Sequence, residues 1–193
     1  MSQSETTEFC PKNPSDWQNW LIENHKNEKG VWLIIYKKGS PKQNITWSEA
    51  VDEALCFGWI DSIKKPIDEE KYKHYYGPRK EKSIWSKVNK DKVENLIASN
   101  RIVEAGLKSI ETAKKNGSWT FLDSVEALEV PIDLENEFAK HKGSKEYYNS
   151  LSKSIQKGML AWVKMAKRTE TREKRILEIA ENAAKHKKPK HFV

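Results

Sequence analysis

The sequence predicts an α+β fold: helix-rich, with a small antiparallel sheet of about three strands within residues 31–78 and a helical module at the C-terminal end. Three observations lead there. A β-branched run, VWLIIY, stands between chain breakers, and two further extended segments rich in aromatic residues follow it, separated by a turn-prone stretch. From Ser86 onward, apolar residues recur at spacings of three and four, the period of a helix with one buried face.

Residues 1–14 are polar, contain two prolines and read as a flexible leader. Ser15 is placed to cap a helix whose inner face carries Trp17, Trp20, Leu21 and Asn24, with Gly30 as the stop beyond Lys29. VWLIIY then reads as a buried strand, broken by the Lys-Lys-Gly-Ser-Pro that follows. Thr46 opens a second helix, with Glu49 three residues on to complete a capping box and Trp47, Ala50, Val51, Ala54 and Leu55 as its inner stripe. Gly58 ends it. WIDSIKK and KYKHYYG, joined through Pro66–Glu70, are expected to pair antiparallel and to extend the first strand.

SKVNKDKVENLIASN and IVEAGLKSIETAKKNG are expected to form an antiparallel helical hairpin, and SWTFLDSVEALEVPID a linker. A helix restarts at Pro131, and two more follow, on Ile155, Met159, Trp162 and Ala166 and on Ile176, Ile179, Ala180 and Ala183, the last capped by Thr169. The tail KHKKPKHFV is expected to fray. The division expected is a leader (1–14), an α+β core domain (15–130), a C-terminal helical module (131–186) and a basic tail (187–193). Trp17, Trp20, Trp32, Trp47, Trp119 and Trp162 are assigned to the core, where large aromatics dominate packing.

Charge and motifs exclude several classes of function. No run approaches the roughly 18 apolar residues of a membrane helix, and the start MSQSETTEFCPKNPS lacks the pattern of a secretory signal, so no membrane span is expected and a cytoplasmic location is. Cys10 and Cys56 form no CxxC pair, and the five histidines have no ligand spacing, so neither a metal site nor a cofactor is expected. Phosphate-loop, GxSxG and HExxH motifs are missing. The net charge of +7 is concentrated: residues 164–193 hold ten Lys/Arg against four Glu, a net of +6 that leaves +1 for the rest. Residues 164–190 are therefore a candidate nucleic-acid contact, although the interleaved glutamates also fit an ordinary solvated helix face.

The densest group of chemistry-bearing residues lies in ALCFGWIDS and YYGPRKEKSIWSKVN, which contribute Trp59, Asp61, Arg79, Lys80, Ser83, Trp85 and Asn89. The blocks VDEALCFGWIDS, PRKEKSIWSKVN, AGLKSIETAKKNGSW and SIQKGMLAWVKMAKRTETREKRI, in this order, resemble the YdeI/OmpD-associated, or bacteriocin-protection, family across most of residues 15–185. That resemblance implies a bacterial protein of stress response or bacteriocin protection, linked by name to a porin, and brings no catalytic residue, reaction or cofactor with it.

On their own chemistry, the seven residues support two readings. In the first, Asp61 shares a strand face with Trp59 and Ile63, and Arg79 neutralises it as a bidentate structural partner. In the second, they form a ligand pocket: Arg79 and Lys80 hold an anionic small molecule, Trp59 and Trp85 stack on a flat moiety, and Asp61 orients it or accepts a proton. Ser62, Ser83 and Ser86 are expected as caps or turn residues, with no histidine placed to activate them. Tyr72, Tyr75 and Tyr76 among lysines also suggest the aromatic and basic interleaving of single-strand nucleic-acid binders. The function expected is binding, of an unknown anionic small molecule or a protein partner.

Overall fold

The computed structural model describes residues 7–192, and the chain divides into two compact units, Met1–Thr120 and Phe121–Val193. The first holds strands β1 (Glu8–Phe9), β2 (Val31–Tyr36), β3 (Trp59–Pro66) and β4 (Lys71–Pro78), with helices α1 (Pro14–Asn24), α2 (Trp47–Cys56), α3 (Lys87–Ala98) and α4 (Glu104–Asn116). The α+β class is as the sequence predicts, with a sheet of four strands rather than three, and mixed rather than antiparallel.

The strand order is β1-β2-β4-β3: β1 runs parallel to β2, while β4 pairs antiparallel with both β2 and β3. The extra strand lies in the segment expected to be a flexible leader, whose residues 1–6 fall outside the described residues. Two residues carry no periodic signal. What fixes them is Phe9, whose ring packs on Trp17 and Trp20 of α1.

Helix α1 is capped two residues before the expected serine. Asn13 caps it by accepting from the Asp16 amide at 2.9 Å, because Pro14 fits the first helical position, where no N–H is needed. It ends at Asn24, short of Gly30, as the Asn24 amide turns back onto the Trp20 carbonyl. Helix α2 has the expected capping box. Residues Val31, Leu33 and Ile35 of β2 alternate inward onto a core that includes Trp17, Leu21, Ala50, Ala54 and Tyr76. The apolar run is therefore buried on one face only, and Trp32, Ile34 and Tyr36 lie half-buried on the other. Helices α3 and α4 dock principally on α2 rather than forming the expected hairpin. Gly106 of α4 sits so close that a Cβ there would lie 2.4 Å from the Cys56 carbonyl oxygen.

The six tryptophans assigned to the core divide differently: Trp17 is fully enclosed, whereas Trp47 is 42 % exposed and Trp20, Trp32, Trp119 and Trp162 are half-buried. Trp47 occupies the first residue of α2, and there its indole N–H reaches a carboxylate instead of the core.

The second unit is helical throughout: α5 (Asp123–Glu126), α6 (Ile132–Lys140), α7 (Ser144–Ser150), α8 (Lys153–Lys164) and α9 (Thr169–Ala184). The expected linker contains the single turn α5, held by buried Val125. Helices α6, α7 and α8 all pack on α9, whose Ile176, Ile179, Ala180 and Ala183 form the predicted inner stripe. On α8 the buried set is Met159, Leu160 and Val163, rotated from the predicted face. Arg168, not Thr169, is the residue before the first turn of α9. The tail expected to fray is docked instead: Lys190–Phe192 form one 3-10 turn, with His191 stacked on Trp162 at 5.6 Å and Phe192 against Gly158. The apolar Phe192 ring, which a Cβ at Gly158 would approach to 3.1 Å, holds down an otherwise basic segment.

Candidate functional site

The site grows out of the end of the β3–β4 pair. Gly58 leaves α2 with φ +72°, a conformation glycine adopts without strain, and its carbonyl accepts from the Arg79 amide at 2.9 Å. The chain therefore re-emerges from β4 beside the point where it entered β3. The next seven residues cross the end of the sheet to Ser86, which caps α3 by accepting from the Asn89 amide. This crossing segment is anchored by Trp85, 1 % exposed and tilted against Trp119 at 5.0 Å.

Between the crossing segment and the strands lies a cavity of about 760 Å³. Lys29, Arg79, Lys80 and Lys82 line it, with Asp61 as the single carboxylate. Ser83, Ser86 and Asn89 add polar groups where α3 begins. Five of the seven residues singled out in the sequence thus meet around one open space: Asp61, Arg79, Lys80, Ser83 and Asn89. The other two lie beneath it. Trp59 is 1 % exposed and donates its indole N–H to the His25 carbonyl at 3.2 Å, and Trp85 serves as the floor for Arg79, whose guanidinium carbon stands 3.6 Å from the ring centroid. Neither tryptophan presents a face for a ligand to stack upon.

Asp61 and Arg79 form no direct ion pair among the described residues, contrary to the first reading of the sequence. Asp61 Oδ2 instead accepts from the Trp47 indole at 2.9 Å and lies 3.3 Å from His74 Nε2. Arg79 donates through Nη2 to the Ile84 carbonyl at 2.9 Å, while its buried Nε and Nη1 have no hydrogen-bond partner. Burial pulls the guanidinium down from its usual range to about 10, with the Asp61 charge opposing the shift. It remains cationic at neutral pH.

His74 and Trp47 are the partners that sequence reasoning missed. The spacing of KYKHYYG places His74 on the same strand face as Tyr72 and Tyr76, and Asp61 pairs with Tyr76 across the ladder. A register shift between Asp61 and Lys64 then breaks the expected alternation of β3 and turns Ile63 out to solvent, 55 % exposed. Burial holds the His74 imidazole below its ordinary value, opposed by Asp61 and reinforced by Lys64. His74 Nε2 faces Asp61 at 3.3 Å, and Nδ1 is buried without a partner among the described residues. Burial also pushes the neighbouring Tyr76 phenol far above the usual phenol range. With its carboxylate hydrogen-bonded to Trp47 and beside His74, the cavity presents four basic side chains and the start of α3, where positive partial charge from the helix gathers. That is the electrostatic profile of a seat for an anion. Among the described residues, no cluster of His, Cys, Asp or Glu is arranged to hold a metal, and no helix is long and apolar enough to cross a membrane.

Two family models match the chain, and they meet different units. The model for a domain of unknown function, DUF8412, matches residues 9–109, including every residue of the cavity. The model described as bacteriocin-protection, YdeI or OmpD-associated matches residues 127–186 in the second unit. The predicted resemblance is thus present, over a shorter stretch than the sequence blocks suggested: three of the four quoted blocks fall outside it. No curated protein and no solved structure matches the chain.

Proposed function

Because the chain belongs to the DUF8412 family, whose description names no activity, we propose its role from the site: it binds an anionic small molecule, carboxylate or phosphate, in the Arg79 cavity. The carrying observation is Arg79, a half-buried cation whose enclosed Nε and Nη1 have no partner and which has no ion-paired carboxylate among the described residues, in the wall of a cavity that three lysines also line. A buried charge is costly unless something opposite compensates it. An incoming anion meets the ammonium groups of Lys80 and Lys82 at the mouth, and Arg79 beneath supplies fixed charge in a setting of lowered dielectric.

The match over residues 127–186 supports reading this binding as part of bacteriocin protection; a cytoplasmic stress role, with an indirect link to a porin, is the further part of the proposal. A deletion strain with unchanged bacteriocin sensitivity overturns the link to bacteriocin protection. Binding itself is tested by thermal unfolding with orthophosphate, sulfate and citrate as probes, at constant ionic strength against chloride. A probe at tenfold its Kd stabilises by about 1.4 kcal/mol, a rise of roughly 3–6 °C for a chain of this size. The double variant Lys80→Ala, Lys82→Ala, at exposed positions, is expected to lose the rise. No rise with any probe, or an equal rise in the variant, refutes the proposal.

A further inference from the structure

The sheet has two unlike faces. Helices α1 and α2 cover one, where Trp17 meets Tyr76 and Trp20 meets Trp59. The ladder fixes what the other carries: Trp32 stands opposite Tyr75, Ile34 opposite Lys73 and Tyr36 opposite Lys71, while Lys65 of β3 stands opposite Lys73. Directly paired residues share a face. This second face therefore bears three aromatic rings, Trp32, Tyr36 and Tyr75, and three lysines, 65, 71 and 73.

The groups interleave. Lys65 and Lys73 Nζ lie 5.0 and 5.2 Å from the Trp32 ring centroid, Lys71 lies 5.9 Å from that of Tyr36, and Trp32 and Tyr75 meet edge to face at 5.3 Å. Two carboxylates lie beside this set: Glu8, opposite Trp32 on β1 and paired with Lys73, and Asp68 of the turn, 3.8 Å from Lys71 Nζ. The structural purpose of a sheet face is normally to be buried or to be polar, and half-buried Trp and Tyr ringed by cations do neither.

We infer that this face binds single-stranded nucleic acid, with bases stacked on Trp32, Tyr75 and Tyr36 and phosphates held by Lys65, Lys71 and Lys73. Stacking asks only for a π face, which every base has, and the cations beside each ring stand where a backbone would run. Trp32 and Tyr36 are four residues apart on one strand, a span of about 13 Å, which accommodates two or three splayed nucleotides. A duplex keeps its bases stacked inside and offers these rings nothing. An acidic peptide would satisfy the lysines but leave the rings unused. The inference is independent of the anion cavity, although Tyr75 borders both.

The test is fluorescence anisotropy of end-labelled dT12 and rU12 with the full chain. With three phosphates neutralised, raising salt fourfold is expected to weaken binding about 20-fold. Trp32→Leu with Tyr36→Leu is expected to weaken it by about tenfold or more, and Lys65→Ala with Lys71→Ala to flatten the salt dependence. The second variant changes side chains outside the core, so it decides the matter should the first fail to fold. Lys187→Ala with Lys188→Ala, in the basic C-terminal segment, is expected to bind as the parent does. A preference for rU12 or for dT12 identifies which nucleic acid is meant. The inference is overturned if neither oligonucleotide binds, if the sheet variants bind normally, if the C-terminal variant alone loses binding, or if duplex or polyglutamate competes as well as the single strand.

Discussion

Replacing Arg79 with methionine separates a structural cation from a ligand-binding one. Lowering a guanidinium from 12.5 to about 10 corresponds, at about 1.4 kcal/mol per pH unit, to a burial penalty on the order of 3 kcal/mol. Against it stand the charged hydrogen bond to the Ile84 carbonyl, about 2 kcal/mol, and the stacking on Trp85, another 1–2 kcal/mol or so for a desolvated cation over an indole. These oppose one another nearly completely. Methionine keeps much of the contact with the indole through its polarisable sulfur. The expected change in stability of Arg79→Met is therefore within about 1 kcal/mol of zero, a melting shift of no more than about 4 °C, read by differential scanning calorimetry and urea titration. The same variant is expected to lose the stabilisation conferred by orthophosphate. A loss of 3 kcal/mol or more would mean that Arg79 is one half of a closed buried pair, for which removing one partner is that damaging, and the reasoning about an uncompensated charge would fail.

Two further outcomes follow from the packing. His74 has its pKa lowered by burial, so the unfolded chain binds its proton more readily; its contribution to stability is complete above the unfolded value, near 6.5, and drains away as pH falls below that. Urea midpoints at pH 7.5 and 5.5 should differ more for the parent than for His74→Gln, which places a polar group without a titrating proton beside Asp61, and equal differences would remove His74 as the cause. Gly106→Ala should destabilise by about 1–3 kcal/mol, despite alanine's helical advantage of about 1 kcal/mol, because the added Cβ meets the Cys56 carbonyl; a stabilised variant would show that α2 and α4 can part at no cost.

What could be read from the sequence follows the length of the physical signal. The capping box of Thr46 and Glu49, the stop at Gly58 and the inner stripe of α9 are each written in several cooperating residues, and each stands where expected. Strand β1 consists of two residues placed by Phe9 on the rings of Trp17 and Trp20 and by pairing with β2, so no periodic pattern announces it. The cavity was legible as a set, since Asp61, Arg79, Lys80, Ser83 and Asn89 fall in two short segments joined by one strand pair. Its internal pairing was not. Attraction between opposite charges suggested Asp61 with Arg79, but the bulge in β3 and the position of Trp47 at the start of α2 give the carboxylate to the Trp47 indole, with His74 alongside. Tryptophan positions were misassigned for a related reason: bulk predicts burial on average, whereas an indole at a helix start or on an open sheet face answers to its neighbours.

The register shift in β3 has a consequence for the chain in crowded solution. An open sheet invites a second copy to add strands at its margins, and here the margins are β1, only two residues long, and β3. Beyond the shift β3 continues as exposed Lys64, Lys65 and Pro66, so the outer margin is kinked, doubly charged and closed by a residue without an N–H to offer. Lateral growth into fibrils is thereby discouraged at both ends of the sheet, and its broad aromatic face can stay uncovered without the molecule joining its own kind.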